Sequence, residues 1–570
     1  MHPVLVFIQA AVIYATSWVL WRTFRSCFIR STLADLPGPP RDSWLTGNLS
    51  KVYSPDGIPW HHAMRKKYGR AFRVHGLFGD EQVYISDPRA LHHIAIKDQY
   101  IYEETSMFTE GNRLIFGDGL LSTNGEAHKK QRRLLNPVFA VSHLRHLMPI
   151  FYPITYQLRD VLDHLLEDGP REIDMLNWMS RTALEYIGQG GLGYSFDGFN
   201  PEDNNQYSRA VKDLFPAVFR FAVVRQYVPY LVKIGPPRLR RFLLELIPSE
   251  ALQRVKDIVD IMHHTSVNIF HAKKSAAESG DEAISRQIGA GKDLMSVLLK
   301  ANSLADANDR LPDHELLAQM NTLIFAAHDT TSSSLARILH VLALHPKEQA
   351  LLRDEVLAAR AERQGADFSY DELMALPYLD AVVRESLRLY APFTFISRTA
   401  RKEIVLPLAT PIPVKNPSPN CPSHINSICI KPNTNIILGL GAANCDPLIW
   451  GEDADDWVPG RWLNRSWEEV AKERLPGIYS GIMTFMGGGR ACIGARFSII
   501  EISVSGCCLR ACNVLTALPL LEIVLTMLVE KYKFELPKEE IIWRNNSMAT
   551  PTTRGRERST PNLPLKVSLA

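Results

Sequence analysis

Three features are scarce in this sequence of 570 residues: cysteine, excess charge and regularly spaced metal ligands. The eight cysteines form no C-x-x-C pair and no repeating framework, which argues against a disulfide scaffold and favours reduced thiols in a reducing compartment. A formal net charge of +3 without a dominant basic stripe excludes a general nucleic-acid binder. The chain also lacks a G-x-G-x-x-G strand–helix unit, so we do not expect it to bind a dinucleotide itself.

The composition marks no domain boundary within residues 41–570. The hydrophobic fraction of 46% and the charged fraction of 22% are ordinary for a globular protein. Residues 72–75 and 82–86 alternate in polarity and predict strands of a small sheet, whereas residues 141–270 show the three- and four-residue spacing of helices. The proline-rich residues 407–422 are interpreted as a surface loop. We therefore expect one large domain, mainly helical.

A long apolar run lies near the N-terminus. Residues 4–21 form an uncharged stretch, long enough for roughly 27 Å of helix. Arginines follow the run and no lysine or arginine precedes it, which predicts a transmembrane anchor at residues 1–21 with the rest of the chain in the cytosol. A basic, proline-rich hinge at residues 22–40 would join the anchor to the domain. The alternative is a cleaved secretory signal, which would carry positive charge before the apolar run.

A glycine-rich turn with one cysteine lies at residues 485–494, Phe-Met-Gly-Gly-Gly-Arg-Ala-Cys-Ile-Gly. Consecutive glycines allow backbone torsions that side chains forbid, so the turn can approach a flat ligand closely. Backbone N–H groups of such a turn can also temper the charge of a metal-bound Cys492 thiolate. The pattern F-x-x-G-x-R-x-C-x-G resembles the heme-binding loop of the cytochrome P450 family, the alternative being a buried structural cysteine. The five fixed positions are filled by Phe485, Gly488, Arg490, Cys492 and Gly494.

The resemblance implies heme b, iron protoporphyrin IX, with the Cys492 thiolate as its axial ligand. It also implies basic side chains that hold the heme propionates. His128 and Arg132 have the spacing that places both on one face of a helix, and in the family such a pair reaches a propionate. Arg398 resembles a propionate-binding arginine at the end of a strand, and Arg490 is placed to meet a carboxylate. The alternative for the first pair is a solvated basic face.

An apolar pattern without a break predicts one long helix from Pro312 to His345, where Pro346 would end it. Its middle reads Ala-Ala-His-Asp-Thr-Thr, and an acid beside a hydroxyl in an apolar helix is costly unless it is partnered or functional. The stretch resembles the family's A-G-x-D-T-T, in which an acid–alcohol pair relays protons for oxygen activation. The resemblance therefore implies that Asp329 and Thr330 are catalytic. The alternative is a Ser/Thr cluster that bends the helix.

Glu385 and Arg388 have a spacing that places acid and base side by side on a helix. The same spelling, E-x-x-R, recurs at residues 110–113, which we interpret as part of a loop, so the motif alone is weak. Arg461 lies in a Pro-Gly-Arg-Trp stretch that resembles the family's P-x-R-F, with tryptophan in place of phenylalanine. The resemblance implies that Glu385, Arg388 and Arg461 form a structural triad behind the heme.

An apparent insertion at residues 502–522 follows the cysteine turn. Glu501-Ile502 recurs as Glu522-Ile523, and removal of the segment between the repeats would leave one uninterrupted apolar helix. The segment contains Pro519, which a helix interior tolerates poorly. We interpret it as a retained intron or as an error in the assignment of the exons. A zinc-binding loop is the alternative, which adjacent cysteines without a nearby histidine fit poorly.

The motifs together predict a mainly α protein with the cytochrome P450 fold, a large helical domain with small β-sheets. The resemblance implies a heme-thiolate monooxygenase that inserts one atom of O2 into an apolar small molecule. Electrons would come from NADPH through a separate NADPH–cytochrome P450 reductase. Phe325, Phe393 and Phe395 suggest an apolar pocket, although they are as easily core residues.

The motif spellings look similar to those of fungal members of the family, which implies secondary metabolism or xenobiotic detoxification. The expected location is the endoplasmic reticulum membrane, with the catalytic domain in the cytosol. Two alternatives remain open: a heme-thiolate isomerase or dehydratase that needs no reductase, and a heme-poor, inactive protein disabled by the insertion.

Overall fold

The structure, a computed structural model, describes most of the chain. The described residues are 31–196, 198–199, 206–280, 282–283, 288–415, 423–464, 475–497, 519–545, 548–557 and 560–570, with scattered positions between 6 and 21. Much of the predicted anchor and hinge, and most of the predicted insertion, lie outside these residues. Within the described residues, none of the helices combines the length and the apolar character that crossing a bilayer requires.

The chain divides into two compact units. Unit 1 comprises Met1–Thr105 and Thr394–Ala443, and unit 2 comprises Ser106–Phe393 and Asn444–Ala570. Each unit has its own hydrophobic core, the smaller one in unit 1.

Unit 1 is built on a mixed five-stranded sheet. The strand order across the sheet is Ala71–His75, Glu81–Ile85, Asn435–Leu438, Ile396–Ala400 and Tyr102–Glu104. The second and third strands pair in parallel and the other neighbours are antiparallel. The two strands expected from the alternating pattern are therefore confirmed. Their apolar side chains point into one core, where the rings of Phe72 and Tyr84 stack with their centroids 4.6 Å apart.

A two-stranded hairpin in unit 1 pairs Ile404–Pro413 with His424–Ile430. The expectation that residues 407–422 form a surface loop is therefore wrong for residues 407–413, which belong to a strand, while residues 416–422 lie outside the described residues. Proline is tolerated here because each strand of a two-stranded sheet has an unpaired edge. The helices of this unit are Leu49–Val52, Ile58–Tyr68, Pro88–His92 and Leu440–Asn444, which ends at the unit boundary.

Unit 2 is mainly helical, as the periodicity predicted. Its α-helices are Ser106–Phe116, Gly125–Leu135, Val141–Arg145, Met148–Leu165, Met175–Glu185, Gln206–Phe219, Val228–Leu231, Pro237–Glu245, Glu250–Ser279, Leu294–Leu304, Asp313–Leu344, Pro346–Glu362, Tyr370–Met374, Pro377–Leu389, Pro447–Trp450, Arg461–Asn464 and Pro519–Lys531. Two small antiparallel sheets accompany them. One has the strand order Arg171–Asp174, Pro564–Leu569 and Tyr532–Glu535, and the other pairs Ile541–Asn545 with Ala549–Thr553.

The central helix of unit 2, Asp313–Leu344, has 32 residues and is thus roughly 48 Å long. Pro312 occupies its N-cap position, and Asp313 and Glu315 lie in the first turn, where carboxylates offset the positive end of the helix dipole. The helix ends before His345, and Pro346 starts the next helix. The predicted extent is confirmed. Most of its side chains are buried, so the helix forms the axis of the core.

The helix Pro519–Lys531 starts inside the predicted insertion. Pro519 is its first residue, where the missing N–H of proline costs no intrahelical hydrogen bond. Glu522 is fully buried in this helix, and burial raises the pKa of its carboxyl well above the usual 4.5. Residues 502–518 lie outside the described residues, so the insertion stays a prediction.

Candidate functional site

The cysteine loop, residues 485–494, is held by its own backbone. The N–H of Cys492 donates to the carbonyl of Phe485 across 2.9 Å, and the N–H of Ala491 donates to the carbonyl of Gly488 across 3.1 Å. Gly488 has a φ of +71°, in the left-handed region that favours glycine. The glycine run was thus a valid signal of a tight turn, and Gly488 is the position that requires it.

Cys492 is an exposed residue, and the protein around its sulfur raises the pKa of the thiol by burial. Hydrogen bonds from the N–H groups of Ala495 and Gly494, and the charge of Arg132, act in the opposite direction and lower this pKa. A Cβ on Gly494 would lie 3.7 Å from the sulfur. These donors suit a thiolate that binds a metal, so the site fits the predicted heme iron.

Two arginines join the cysteine loop to the helix Gly125–Leu135. Arg132 donates from Nη1 to the carbonyl of Ala491 across 2.6 Å. In return, Arg490 donates from Nη2 to the carbonyl of Thr123 (2.7 Å) and to Oδ1 of Asn124 (2.6 Å), just before the helix begins. The structure therefore brings Arg132, Arg490 and Cys492 together. His128 is buried on the same helix as Arg132, and its heme role stays a prediction.

Arg398 belongs to unit 1 and is described there. It lies on the strand Ile396–Ala400, is buried, and donates from Nη1 to Oε2 of Glu104 across 2.8 Å. The sequence did not point to this carboxylate partner, because Glu104 is 294 residues away. The propionate-binding role of Arg398 stays a prediction.

The central helix has an open patch in its middle. Ala326 is exposed, and Ala327, Thr330 and Thr331 are half-buried, whereas His328 and Asp329 are buried. Residues 326 and 330 are one turn apart and therefore share a face. The hydroxyl of Thr330 donates to the carbonyl of Ala326 across 2.6 Å, which leaves its oxygen lone pairs available as acceptors. Thr330 is thus a partly exposed residue that carries a hydroxyl group in an otherwise apolar helix.

Asp329 is buried beside this patch. Nδ1 of His328 lies 2.9 Å from its Oδ1 atom, and Oδ2 makes no hydrogen bond within the described part of the chain. Burial raises the pKa of Asp329, and the contact with His328 and the charge of Lys212 oppose that shift. A buried carboxyl with a raised pKa keeps its proton to a higher pH than an exposed one, which suits an acid that delivers protons.

Aromatic side chains cluster around Phe325, the residue just before the open patch. Its ring centroid lies 4.6 Å from that of Phe116 and 4.6 Å from that of Phe215, and Phe215 is 6.0 Å from Phe393. Phe215 and Phe393 remain half-buried. Phe395 lies in unit 1, where it stacks on His61 at 4.8 Å. Two of the three predicted phenylalanines therefore belong to this cluster.

Glu385 is the centre of a buried charge cluster. Arg388 binds both of its carboxylate oxygens at 2.8 Å, and Arg461 donates from Nε to Oε1 across 3.3 Å. The N–H of Val458 and the indole N–H of Trp462 complete the set, at 3.0 and 2.9 Å. The structure thus brings the three residues of the predicted triad together. We call these four side chains, Glu385, Arg388, Arg461 and Trp462, the glutamate clamp.

The glutamate clamp reaches the cysteine loop through Asn444. Arg388 donates to the carbonyl of Asn444 across 2.9 Å. The side chain of Asn444 accepts from the N–H of Met483 (2.6 Å) and donates to Oγ1 of Thr484 (2.9 Å), directly before the loop. Thr484 in turn donates to the carbonyl of Leu387. Sequence reasoning missed Asn444 and Thr484, because neither belongs to a motif. The clamp therefore positions the loop that carries Cys492.

The chain matches known proteins over most of its length. A family model described as "Cytochrome P450" matches residues 37–517. "Cytochrome P450 monooxygenase 91" from Postia placenta is 44% identical over 550 residues, which cover 96% of each chain. "Ganoderic acid synthetase CYP5150L8" from Ganoderma lucidum is 37% identical over 558 residues, which cover 97% of each chain.

Proposed function

The chain belongs to the cytochrome P450 family of heme-thiolate enzymes, and from that premise we propose that it hydroxylates an apolar small molecule with electrons from a separate NADPH-dependent reductase. The reaction consumes a substrate C–H group, O2, two electrons and two protons, and yields an alcohol and water. The single observation that carries the proposal is the exposed Cys492, in a loop where backbone N–H groups and Arg132 lower the pKa of the thiol against the effect of burial.

When bound, the heme would supply the redox chemistry of dioxygen, and the Cys492 thiolate would hold its iron. The chain itself holds the loop through the glutamate clamp, and Arg132, Arg490 and His128 are the groups that would bind the heme propionates. Asp329 holds an exchangeable proton beside the open patch, and the Thr330 hydroxyl lies on that patch. These two residues supply and guide the protons that the reaction consumes.

The aromatic cluster supports an apolar substrate. Phe116, Phe325, Phe215 and Phe393 contact one another in that order, and Phe325 directly precedes Ala326. A ligand that covers the half-buried members of this cluster removes apolar area from water, at about 25 cal/mol per Å2. The relative named for ganoderic acid synthesis is consistent with a fungal secondary metabolite as substrate, and detoxification of a foreign apolar compound is the other route to the same chemistry.

The partner and the location are proposed from the sequence. The G-x-G-x-x-G spelling at residues 188–193 follows a helix and not a strand, so it does not form a dinucleotide-binding unit, and the proposed electron donor is an NADPH–cytochrome P450 reductase. The apolar run at residues 4–21, followed by arginines, supports a single-pass anchor in the endoplasmic reticulum membrane with the catalytic domain in the cytosol. Sedimentation of the full chain with membranes, and its loss on deletion of residues 1–30, tests the anchor.

The proposed function is tested with the expressed chain and a partner reductase. The reduced protein with carbon monoxide is expected to give the red-shifted Soret band of a heme thiolate, and Cys492→Ser to lose it. A screen of apolar compounds under 18O2 should then give a product that carries one labelled oxygen and forms only with NADPH. Product formation without NADPH would instead establish a reductase-independent isomerase or dehydratase. Absence of the Soret band would establish a heme-poor, inactive protein.

A further inference from the structure

His328 lies between a serine of a neighbouring helix and the acid beside the open patch. Its Nε2 is 2.7 Å from Oγ of Ser180, and its Nδ1 is 2.9 Å from Oδ1 of Asp329. All three side chains are buried, and His328 has no exposed surface. The contact with Ser180 is a hydrogen bond, whereas the contact with Asp329 is close but is not aligned as one. Both ring nitrogens face protein groups, so His328 acts through Asp329 and not on a substrate.

The contact between His328 and Asp329 requires an external support. Consecutive residues of an α-helix diverge by about 100°, so their side chains do not face each other by backbone geometry alone. The imidazole has to turn toward Asp329, and Ser180, on the helix Met175–Glu185, holds the far nitrogen of the turned ring. The result is a carboxyl with one oxygen held and the other, Oδ2, without a hydrogen-bond partner among the described residues.

We propose that His328 is a positioning residue that, supported by Ser180, holds Oδ1 of Asp329 and leaves Oδ2 for proton transfer. When Asp329 is ionised, the Nδ1–H group of His328 donates to Oδ1, and the hydroxyl of Ser180 donates to Nε2. When Oδ2 carries the proton, the Nδ1–H group keeps the same contact with Oδ1. The imidazole therefore keeps one tautomer, and no heavy atom has to move when Oδ2 gains or loses its proton.

Burial and two charged or titratable groups affect the pKa of Asp329. Burial raises the pKa of the carboxyl, and His328 on the same helix and Lys212 on the helix Gln206–Phe219 lower it. Removal of the His328 contact leaves the effect of burial less opposed. Asp329 then stays protonated to higher pH and loses its fixed orientation, so proton delivery becomes slower than the loss of reduced oxygen as hydrogen peroxide.

The test uses a matched pair, His328→Asn and His328→Gln, in the full-length holoenzyme. The amide nitrogen of asparagine replaces Nδ1, which faces Asp329, and that of glutamine replaces Nε2, which faces Ser180. His328→Gln should lower the product formed per NADPH by about tenfold, the effect of one lost hydrogen bond to a charged group, and raise hydrogen peroxide release. His328→Asn should give a product yield per NADPH closer to that of the parent protein. Ser180→Ala should give a yield between those of His328→Asn and His328→Gln.

A second readout follows Asp329 itself, independently of turnover. The carbonyl stretch of its protonated carboxyl, assigned by infrared difference against Asp329→Asn, should persist to higher pH in His328→Gln than in the parent protein or in His328→Asn. Thr182→Val, which removes a hydroxyl that donates to the carbonyl of Trp178 on the helix of Ser180, is the control and should change neither readout.

The inference rests on the proposed monooxygenase function, but the two can fail separately. If the asparagine and glutamine variants behave alike in both readouts, or the infrared band does not move in His328→Gln, His328 does not position Asp329. A missing Soret band with carbon monoxide overturns the monooxygenase function, while the infrared titration still judges the role of His328.

Discussion

Trp462 donates its indole N–H to Oε2 of Glu385 across 2.9 Å. Phenylalanine, which the family pattern has at this position, has no donor and could not make this contact. Burial by itself would raise the pKa of Glu385, but Arg388, the N–H of Val458 and Arg461 outweigh it, and the pKa is lowered. The carboxylate therefore stays ionised inside the core, where it holds two arginines.

Replacement of Glu385 by glutamine should destabilise the protein strongly. The amide leaves the buried guanidinium group of Arg388 without a counter-charge, while Arg461 keeps its ion pair with Asp453. Breaking a buried ion pair in this way costs about 3–5 kcal/mol. Urea unfolding should give that loss in the free energy of unfolding, with reduced heme content after expression. The control is Glu110→Gln, which breaks the same E-x-x-R pair on the surface and should cost no more than about 1 kcal/mol. Equal effects of the two variants would contradict a special role of the glutamate clamp.

The stability that the glutamate clamp contributes should also depend on pH. The pKa of Glu385 in the folded protein lies below its ordinary value of 4.5, so its contribution to stability is complete above that pH. As the pH falls through the lowered pKa, the carboxylate gains a proton and the contribution disappears. The difference in unfolding free energy between the parent protein and Glu385→Gln should therefore shrink below pH 4.5. A difference that is constant with pH would show that Glu385 does not titrate in this range.

Trp462→Phe should cost less than the loss of the carboxylate. It removes one hydrogen bond to a charged acceptor and keeps an aromatic ring, so we expect about 1.5–3 kcal/mol of destabilisation in urea unfolding. Trp44→Phe is the control, because Trp44 is 51% exposed and its change should stay within about 0.5 kcal/mol. If Trp462→Phe is as stable as the parent protein, the hydrogen bond from the indole N–H to Glu385 makes no net contribution to the free energy of unfolding.

The two glycines on either side of Cys492 should differ in their response to alanine. Gly488 has a φ of +71°, so Gly488→Ala forces an L-residue into the left-handed region, at about 1–2 kcal/mol. Gly494 lacks such a φ, and an added Cβ would be in ordinary contact, 3.7 Å from the Cys492 sulfur. Heme content and the urea midpoint should therefore fall more in Gly488→Ala than in Gly494→Ala. The reverse order would mean that space beside the sulfur matters more than backbone strain.

Arg132→Ala should make the thiolate more sensitive to acid. Arg132 lowers the pKa of Cys492, so its removal raises that pKa and the sulfur gains a proton at higher pH. In an acid titration of the reduced carbon-monoxide complex, the Soret band should move from its thiolate position at a higher pH than in the parent protein. Lys129→Ala, on the same helix but paired with Glu126 on the surface, should leave the titration unchanged. Superimposable curves for Arg132→Ala and the parent protein would exclude this electrostatic role.

The two E-x-x-R pairs show how far the sequence could predict the site. Glu110–Arg113 and Glu385–Arg388 have the same spacing, and both lie on helices, although we interpreted the first as part of a loop. The side chains of the first pair are 25% and 41% exposed, whereas those of the second have no exposed surface. Spacing sets which side chains are neighbours on a helix, but burial depends on what packs against that helix. The Pro-Gly-Arg-Trp stretch that contains Arg461 was the sequence signal that distinguished the second pair from the first.

The sequence by itself determined the features that local sterics and short spacing control. Consecutive glycines forced the cysteine turn, prolines set both ends of the central helix, and periodicity set the helices of unit 2. Only the tertiary structure decided which distant groups meet. Ser180 and His328 are 148 residues apart in the chain, and Arg490 and Asn124 are 366 apart, yet each pair is in hydrogen-bond contact. Such partners are chosen by the packing of whole helices, because a side-chain hydrogen bond depends on a separation of about 3 Å that no spacing within one segment encodes.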